Sequence, residues 1–120
     1  MKERSRWKKH KIAICSYLNR VCPRLELGPE IFIYDFRISR NKCVETIDIF
    51  GVTPENILKM LSRGKVEVII CGGCTAKFQE VLRGNNIEVI WGIAGELSDV
   101  LEAYSAHTLT CGMGLIQNSQ

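Results

Sequence analysis

Val66-Glu67-Val68-Ile69-Ile70-Cys71-Gly72-Gly73-Cys74 is the stretch that decides the expected fold of this chain. Its first five residues form a short apolar run typical of a buried strand, and residues 75–82 continue it with the pattern of a helix. A turn from a strand into a helix brings both sulfurs and several backbone N–H groups close to one point, which suits an anion, a metal or a thiolate. The two glycines let the backbone approach a ligand closely, because they lack a Cβ. The turn is therefore the candidate working site.

Three strands are predicted upstream of this turn. Residues 12–15 form a short buried strand, residues 30–36 are rich in β-branched and aromatic side chains, and residues 43–49 alternate between apolar and polar. The proline, glycine and asparagine residues of segment 16–29 predict a loop with no regular element through most of its length. The second and third strands are expected to pair as a hairpin, so that the three strands form an antiparallel meander.

Helices and strands alternate through the rest of the sequence. Residues 53–55 combine a hydroxyl cap, a proline and an acid, which indicate a helix start, and Gly64 indicates the end of that helix. The helix after the Cys-Gly-Gly-Cys turn is expected to end at Gly84, and residues 87–91 are predicted to form a fifth strand. A last helix is expected from about Glu96, with a buried face formed by Leu97, Val100, Leu101 and Tyr104.

The fold class that follows is α/β, with a mixed five-stranded sheet built from an antiparallel meander and then an αβαβα order, flanked by helices. The helical connections are short, so the fourth and fifth strands are expected to be parallel. In such sheets ligands bind at the carboxyl ends of the parallel strands. The Cys-Gly-Gly-Cys turn occupies one of those ends, and residues 92–95 are expected beside it.

The 120 residues are expected to divide into a basic, flexible N-terminal arm at 1–11, a single α/β domain at 12–106 and a Gly-rich C-terminal tail at 107–120. The arm carries six basic residues and one acid, whereas the whole chain has a net charge of +3, so the remainder is slightly acidic. The arm either is a solvated terminus or contacts RNA or an acidic partner. The first interpretation is favoured, so a nucleic-acid partner is not expected.

Composition narrows the class of protein. The sequence has no apolar run near the roughly 20 residues that cross a bilayer, and no secretory signal is recognisable before the first strand. A cytoplasmic protein without membrane contact is therefore expected, and its six cysteines are interpreted as thiols or metal ligands rather than as disulfides. No serine-histidine-acid arrangement or carboxylate pair is recognisable, so the chain is not expected to be an enzyme.

A family pattern runs from the fourth strand onward. Its residues are Val68-Ile69-Ile70-Cys71-Gly72-Gly73, Lys77-Phe78, Leu82, Ile87-Glu88-Val89, Gly92, Gly95 and Leu101-Glu102-Ala103-Tyr104. This pattern resembles the dinitrogenase iron-molybdenum cofactor biosynthesis family, whose members are like nitrogenase accessory factors. The resemblance implies a ribonuclease-H-like mixed sheet and a role in binding, carrying or assembling an anionic metal-sulfur cluster. It also implies a donor or acceptor protein of cofactor assembly as the partner.

Two segments depart from the family pattern. Residues 19–24 read Asn-Arg-Val-Cys-Pro-Arg where many members have a motif of the histidine-phenylalanine-glycine-arginine type, so ligation by that histidine is not expected here. Cys74-Thr75-Ala76 stands where many members have isoleucine-glycine-proline. The second departure adds a thiol to the turn, which favours direct ligation by thiolates.

The expected ligand set combines the two thiols of the turn with side chains from the end of the chain. Cys71 and Cys74 are predicted to bind a metal, with Cys111 and His107 as further ligands. Soft sulfur favours an iron-sulfur or mixed-metal sulfide cluster, with zinc as the alternative. A negatively charged cluster is also expected to contact the start of the following helix, where the predicted cofactor-binding residues are Gly72, Gly73, Thr75 and Lys77.

Several alternatives stay open at this point. His107 can instead be a capping cation at a helix end. Cys15 and Cys22 can be further metal ligands, and Cys15 can instead be a small apolar core residue. The Cys-Gly-Gly-Cys pair can instead carry out thiol-disulfide exchange. Against that interpretation, all three prolines precede the pair, whereas a thioredoxin fold is expected to place a cis-proline after it. The chain can also be a zinc-stabilised domain that binds a partner protein.

Overall fold

The computed structural model describes residues 10–25, 28–39, 41–49, 53–112 and 114–115. These residues form a mixed α/β fold in which three helices pack on a six-stranded sheet, and two short strands form a second sheet. The elements in chain order are β1 Lys11–Tyr17, β2 Arg20–Val21, β3 Glu30–Asp35, β4 Cys43–Asp48, α1 Pro54–Arg63, β5 Val68–Ile70, α2 Ala76–Arg83, β6 Glu88–Ile90, β7 Ala94–Gly95, α3 Leu97–Ser105 and β8 Gly114–Leu115.

The larger sheet has the strand order β4-β3-β1-β5-β6, with β2 paired to the end of β1. The pairs β1–β3 and β3–β4 are antiparallel, which confirms the predicted meander. β5 runs parallel to both β1 and β6, with Ile14, Ile70 and Ile90 side by side, as expected for strands joined through helices. The parallel strands therefore end together at one edge of the sheet.

The prediction of five strands is wrong, because segment 16–29 is not irregular at its start. β1 continues to Tyr17, and the chain turns back at Leu18 and Asn19 into β2, with Tyr17 opposite Arg20. Both turn residues have positive φ, 53° and 65°, which is the conformation of two-residue hairpin turns. Asparagine adopts this conformation readily but leucine does not, so the sequence carried no clear hairpin signal. The ribonuclease-H-like designation of the sheet stays a prediction.

α1 and α2 cover one face of the sheet. The hydroxyls of Thr53 and Thr75 cap these helices by accepting hydrogen bonds from the N–H groups of Asn56 at 3.1 Å and Phe78 at 3.3 Å. Both helices end at a glycine, as predicted. The buried cluster on this face includes Ala13, Cys15, Cys22, Leu25, Ile31, Ile33, Ile57, Leu61, Ile69, Cys71, Phe78, Leu82 and Val89.

α3 covers the opposite face. It begins after Glu96, as predicted, and the four side chains predicted for its apolar face are all buried. Successive residues of a strand point to opposite faces, so β1 sends Ile12 and Ile14 toward α3 but Ala13 and Cys15 toward α1 and α2. The buried cluster on the α3 side includes Ile12, Ile14, Val68, Ile70, Ile90, Leu97, Val100, Leu101 and Tyr104.

The predicted arm and tail are only partly described. Residues 1–9 lie outside the described residues, and Lys11 already belongs to β1. In the segment predicted as a tail, Leu109 is buried and the Gly112 N–H donates a hydrogen bond to the Trp91 carbonyl at 2.9 Å. β8 pairs in parallel with β7, which brings residues 114–115 back beside the segment that joins β6 to α3. Within the described residues, no helix is long and apolar enough to span a membrane.

Candidate metal-sulfur site at the carboxyl edge of the sheet

The Cys-Gly-Gly-Cys turn lies where β5 ends, at the carboxyl edge of the parallel strands. The Cys71 N–H donates to the Ile90 carbonyl at 3.0 Å, and the Ile93 N–H donates to the Cys71 carbonyl at 3.1 Å. The Gly92 N–H donates to the Gly72 carbonyl at 2.8 Å. The turn is thereby held against the segment that follows β6, as predicted, in the position where sheets of this kind bind ligands.

Segment 22–25 lies over the turn. The Gly73 N–H donates to the Pro23 carbonyl, and the Leu25 N–H donates to the Gly73 carbonyl at 2.8 Å. A Cβ on Gly72 would lie 2.5 Å from each of two carbonyl oxygens of this segment, so the close approach requires glycine. The glycines therefore make room for the protein's own chain. The Gly73 amide, which was predicted to face an anion, is already bonded to Pro23.

The two sulfurs of the turn differ in exposure and in acidity. Cys71 is fully buried, whereas Cys74 is half-buried. A hydrogen bond with the Cys74 side chain raises the pKa of the Cys71 thiol well above its ordinary value, and burial raises it further. Cys71 is therefore a neutral thiol at neutral pH. Cys74 is the more exposed residue of the two.

Two further cysteines lie next to Cys71, and the sequence pattern alone did not show it. The parallel pairing of β1 and β5 ends at Ile14 opposite Ile70, and Cys15 and Cys71 are the residues that follow these two. Cys15, Cys22 and Cys71 belong to one buried cluster, and Cys74 packs against it. A charge on the Cys15 thiol would also raise the pKa of Cys71, in agreement with their proximity. The position of Cys15, Cys22 and Cys71 near the ends of their strands is the sequence signal that could have indicated this arrangement.

The two ligands predicted from the end of the chain are placed differently. Cys111 is exposed, and its thiol donates to the Val89 carbonyl at 3.8 Å. His107 is exposed just after α3, where its N–H donates to the Tyr104 carbonyl at 3.0 Å. Over the described part of the chain, no three histidine, cysteine or acidic side chains are placed together to hold a metal ion. The four-ligand set therefore stays a prediction.

Thr75 and Lys77, the other predicted cofactor-binding residues, lie at the start of α2. The Thr75 hydroxyl serves as the helix cap, so its oxygen accepts a hydrogen bond from the helix backbone. Lys77 is exposed, and so is Arg24, whose backbone pairs with Gly73 above the turn. Two exposed cations and a helix N-terminus thus belong to the segments next to Cys74, which favours an anionic ligand over a cationic one.

Solved structures share this fold at low sequence identity. The crystal structure of PH0822 aligns with a TM-score of 0.71 and 18% identity, over 84% of this chain and 95% of that one. The NMR structure of a Thermotoga protein provisionally assigned as NifB aligns with a TM-score of 0.69 and 19% identity, over 92% and 99% of the two chains. A crystal structure from Methanocaldococcus jannaschii, provisionally assigned as a dinitrogenase, aligns with a TM-score of 0.63 and 19% identity, over 85% and 93%.

Family membership follows from the sequence rather than from these alignments, which at such identities show the fold alone. No curated protein matches the sequence. A family profile described as dinitrogenase iron-molybdenum cofactor matches residues 8–107, which include all six strands of the larger sheet and all three helices. The matched segment is most of the 120-residue chain and contains the Cys-Gly-Gly-Cys turn. The chain therefore belongs to the dinitrogenase iron-molybdenum cofactor family.

Proposed function

We propose that this protein binds an anionic metal-sulfur cluster, of the iron-sulfur or iron-molybdenum type, and carries it between proteins of cofactor assembly. Membership of the dinitrogenase iron-molybdenum cofactor family supports a role in the biosynthesis or binding of that cofactor. The observation that carries the more specific proposal is the Cys71–Cys74 pair, which lies at the carboxyl edge of the parallel strands with Cys71 buried and Cys74 partly exposed. The cluster is cargo in this role, and not a permanent part of the protein.

Binding is expected to begin at Cys74, because it is the more exposed residue of the pair. Thiolates prefer iron, copper and zinc over hard cations such as magnesium. Cys71 is within hydrogen-bonding reach of the Cys74 sulfur, so it can add as a second ligand once a metal is bound there. Coordination deprotonates a thiol that burial otherwise keeps neutral. Each ligation releases one proton, and uptake is therefore expected to increase with pH.

The charges around the pair suit a negatively charged cargo. Arg24 on the covering segment and Lys77 on α2 are both exposed near the turn, and the N-terminus of α2 carries partial positive charge. Two thiolates hold a cluster less firmly than four ligands would, so a partner protein can complete the coordination and then remove the cluster. The protein acts in this role as a carrier rather than an enzyme, because binding and release require no catalytic step.

Uptake of iron and sulfide by the anaerobically purified chain tests the proposal. We expect the protein to retain iron and sulfide after desalting and to show a visible absorption band. We expect Cys71→Ser and Cys74→Ser to retain at least about tenfold less iron and sulfide. Cys43→Ser is the matched control, because Cys43 is an exposed thiol on β4 at the far edge of the sheet. Circular dichroism checks that each variant is folded. Failure of the unmodified protein to take up iron, or equal uptake by all variants, would contradict the proposal.

Thiol-disulfide exchange by Cys71 and Cys74 is the second candidate function. The hydrogen bond between the two side chains favours it, because it requires the two thiols to lie next to each other. Such a protein should reduce insulin disulfides catalytically without any metal. A carrier should show no turnover in that assay and should lose its bound iron when the pair is oxidised.

A further inference from the structure

Four of the six thiols lie on one side of the sheet, near the carboxyl ends of β1 and β5. Cys15, Cys22 and Cys71 are buried in the cluster covered by α1 and α2, and Cys74 packs against that cluster at its surface. The Cys71–Cys74 pair accounts for two of these sulfurs in the proposed function. Cys15 and Cys22 have no part in it, and their mutual geometry points to chemistry of their own.

Cys15 and Cys22 occupy opposite positions across the β1–β2 hairpin. Ser16 pairs with Val21 in this hairpin, so the next pair outward is Cys15 with Cys22, and the Cys22 N–H donates to the Cys15 carbonyl at 2.8 Å. Directly opposed residues project their side chains to the same face of the sheet. Their Cα atoms lie about 5.5 Å apart in a hydrogen-bonded antiparallel pair, within the range of about 4.4–6.8 Å that disulfides require.

Gly28 shows how close the two sulfurs are. A Cβ built on Gly28 would lie 2.3 Å from Cys15 Sγ and 3.5 Å from Cys22 Sγ. The two sulfurs are therefore no more than 5.8 Å apart, which is the sum of those distances. The missing side chain of this buried glycine leaves the space that the Cys15 sulfur occupies. Rotation about the two Cα–Cβ bonds can bring the sulfurs into bonding contact without moving the strands apart.

A chain of thiols connects this buried pair to solvent. Cys15 and Cys71 directly follow Ile14 and Ile70, the last paired residues of β1 and β5, and both belong to the same buried cluster. Cys71 in turn is hydrogen-bonded to Cys74, whose side chain is half-buried at the surface. The order Cys74, Cys71, Cys15, Cys22 therefore leads from the surface into the core through side chains of one packed cluster.

We propose that Cys15 and Cys22 are a second redox pair, which becomes a disulfide by exchange with a Cys71–Cys74 disulfide. The oxidant is a small disulfide such as glutathione disulfide. The Cys74 thiolate displaces one glutathione from it, and Cys71 then displaces the second glutathione to form the Cys71–Cys74 disulfide. Cys15 attacks Cys71 and releases Cys74, and Cys22 attacks Cys15 and releases Cys71.

The exchange is balanced in electrons and protons. One glutathione disulfide is reduced to two glutathione molecules, which take up the two thiol protons, and two protein thiols become one disulfide. The first oxidising equivalent ends at Cys15–Cys22 and leaves Cys71 and Cys74 reduced. A second equivalent oxidises the Cys71–Cys74 pair again, so that the protein holds two disulfides. None of these steps requires a metal or a cluster, so the exchange can be measured independently of the proposed carrier function.

Disulfide mapping of the metal-free protein tests this proposal. The reduced chain is treated with graded amounts of glutathione disulfide, quenched in acid, unfolded, alkylated and digested with trypsin. Cleavage after Lys11, Arg20 and Arg24 separates the two cysteines of the buried pair, so their disulfide joins peptide 12–20 to peptide 21–24. Peptide 66–77 contains both cysteines of the turn and reports on them separately. Circular dichroism before and after oxidation checks that the protein stays folded.

We expect the 12–20 and 21–24 cross-link to form before or together with the disulfide inside peptide 66–77. Cys22→Ser should abolish the cross-link, and Cys71→Ser should slow its formation by about tenfold or more, because the buried thiols then lose their route to the oxidant. Cys43→Ser should leave both disulfides and their rates unchanged. Mapping of the unmodified chain does not depend on whether any variant folds.

Two results would overturn the proposal. The first is alkylation of both Cys15 and Cys22 under conditions in which Cys71–Cys74 is fully oxidised in folded protein. The second is a cross-link that forms as fast in Cys71→Ser as in the unmodified chain, because the disulfide then does not come from the turn. Neither result depends on whether the protein takes up iron and sulfide, so the two proposals can fail separately.

Discussion

Replacing Gly72 with alanine is expected to destabilise the protein and to loosen the turn that carries the two thiols. The new Cβ would lie 2.5 Å from the carbonyl oxygens of Cys22 and Pro23, and 2.8 Å from the Pro23 carbonyl carbon. Nonbonded heavy atoms have their best contact at about 3.5–4.0 Å, so segment 22–25 has to move by roughly 1 Å. All three obstructing atoms belong to the backbone, and no side-chain rotation can relieve the overlap.

The expected cost follows from the overlap and from the hydrogen bonds of the covering segment. Overpacking of this kind costs about 1–3 kcal/mol. The movement also strains the hydrogen bonds that Gly73 makes with Pro23 and Leu25, which contribute about 1 kcal/mol each when intact. We therefore expect a loss of about 2–4 kcal/mol from a total that is about 5–15 kcal/mol for a domain of this size. The melting temperature should fall by on the order of 10 °C.

Urea and thermal unfolding followed by circular dichroism measure this loss. Gly73→Ala is the matched control, because the nearest atom to its new Cβ is the Pro23 carbonyl oxygen at 3.1 Å. The control should lose less than about 1 kcal/mol. Alkylation of Cys71 should also become faster in Gly72→Ala, since the covering segment is displaced. Equal unfolding midpoints for the two variants would refute the conclusion that close packing of segment 22–25 is the reason for glycine at position 72.

Three further predictions test other parts of the fold. Arg37→Ala is expected to raise the pKa of Asp35 from about 2, because the guanidinium donates two hydrogen bonds to the Asp35 carboxylate, at 3.0 and 2.8 Å. An NMR titration measures this pKa. Because the pKa is lower in the folded protein than in the unfolded chain, the Asp35 carboxylate stabilises the fold above about pH 4, and this stabilisation is lost as the pH falls toward 2. Burial raises the pKa of Tyr34 to about 12, whereas the unfolded value is about 10. The free energy of unfolding should therefore decrease as the pH rises from about 10 to about 12. In Tyr34→Phe, the decrease caused by this ionisation should be absent. Leu82→Ala is expected to cost about 2–5 kcal/mol in urea unfolding because Leu82 is fully buried, while Glu80→Ala on the exposed side of the same helix should change stability by less than about 0.5 kcal/mol. An Asp35 pKa unaffected by the substitution, an unchanged alkaline profile, or equal costs for the two helix variants would each contradict the corresponding reasoning.

The helices and the position of the turn could be predicted because their signals are local. Thr53 and Gly64 mark the two ends of α1, since a hydroxyl cap and a terminal glycine act on the backbone within a few residues. The direction of β5 followed from the helical connections, which allow only a parallel arrangement. A strand followed at once by a helix could therefore be predicted to present Cys71 and Cys74 at the carboxyl edge of the sheet.

The β2 hairpin could not be predicted from the same kind of signal. Leu18 adopts positive φ at the first turn position and has an exposed side chain, and neither property is typical of leucine. Pairing of Tyr17 with Arg20 compensates for the unfavourable backbone conformation with strand hydrogen bonds. The hairpin turn at Leu18 and Asn19 also directs segment 22–25 across the Cys-Gly-Gly-Cys turn. Because the hairpin could not be predicted, the position of this covering segment could not be predicted either.

Local patterns in the chain were sufficient to establish the family, the order of most elements and the presence of two thiols between a strand and a helix. The folded arrangement was needed to show that Cys71 is buried, that segment 22–25 covers Gly72, and that Cys15 and Cys22 adjoin the turn. Helix caps and hydrophobic periods arise from residues close together in the chain. Burial and contacts between sulfurs depend on which strands become neighbours and in what register, and those neighbours come from segments that are far apart in the chain.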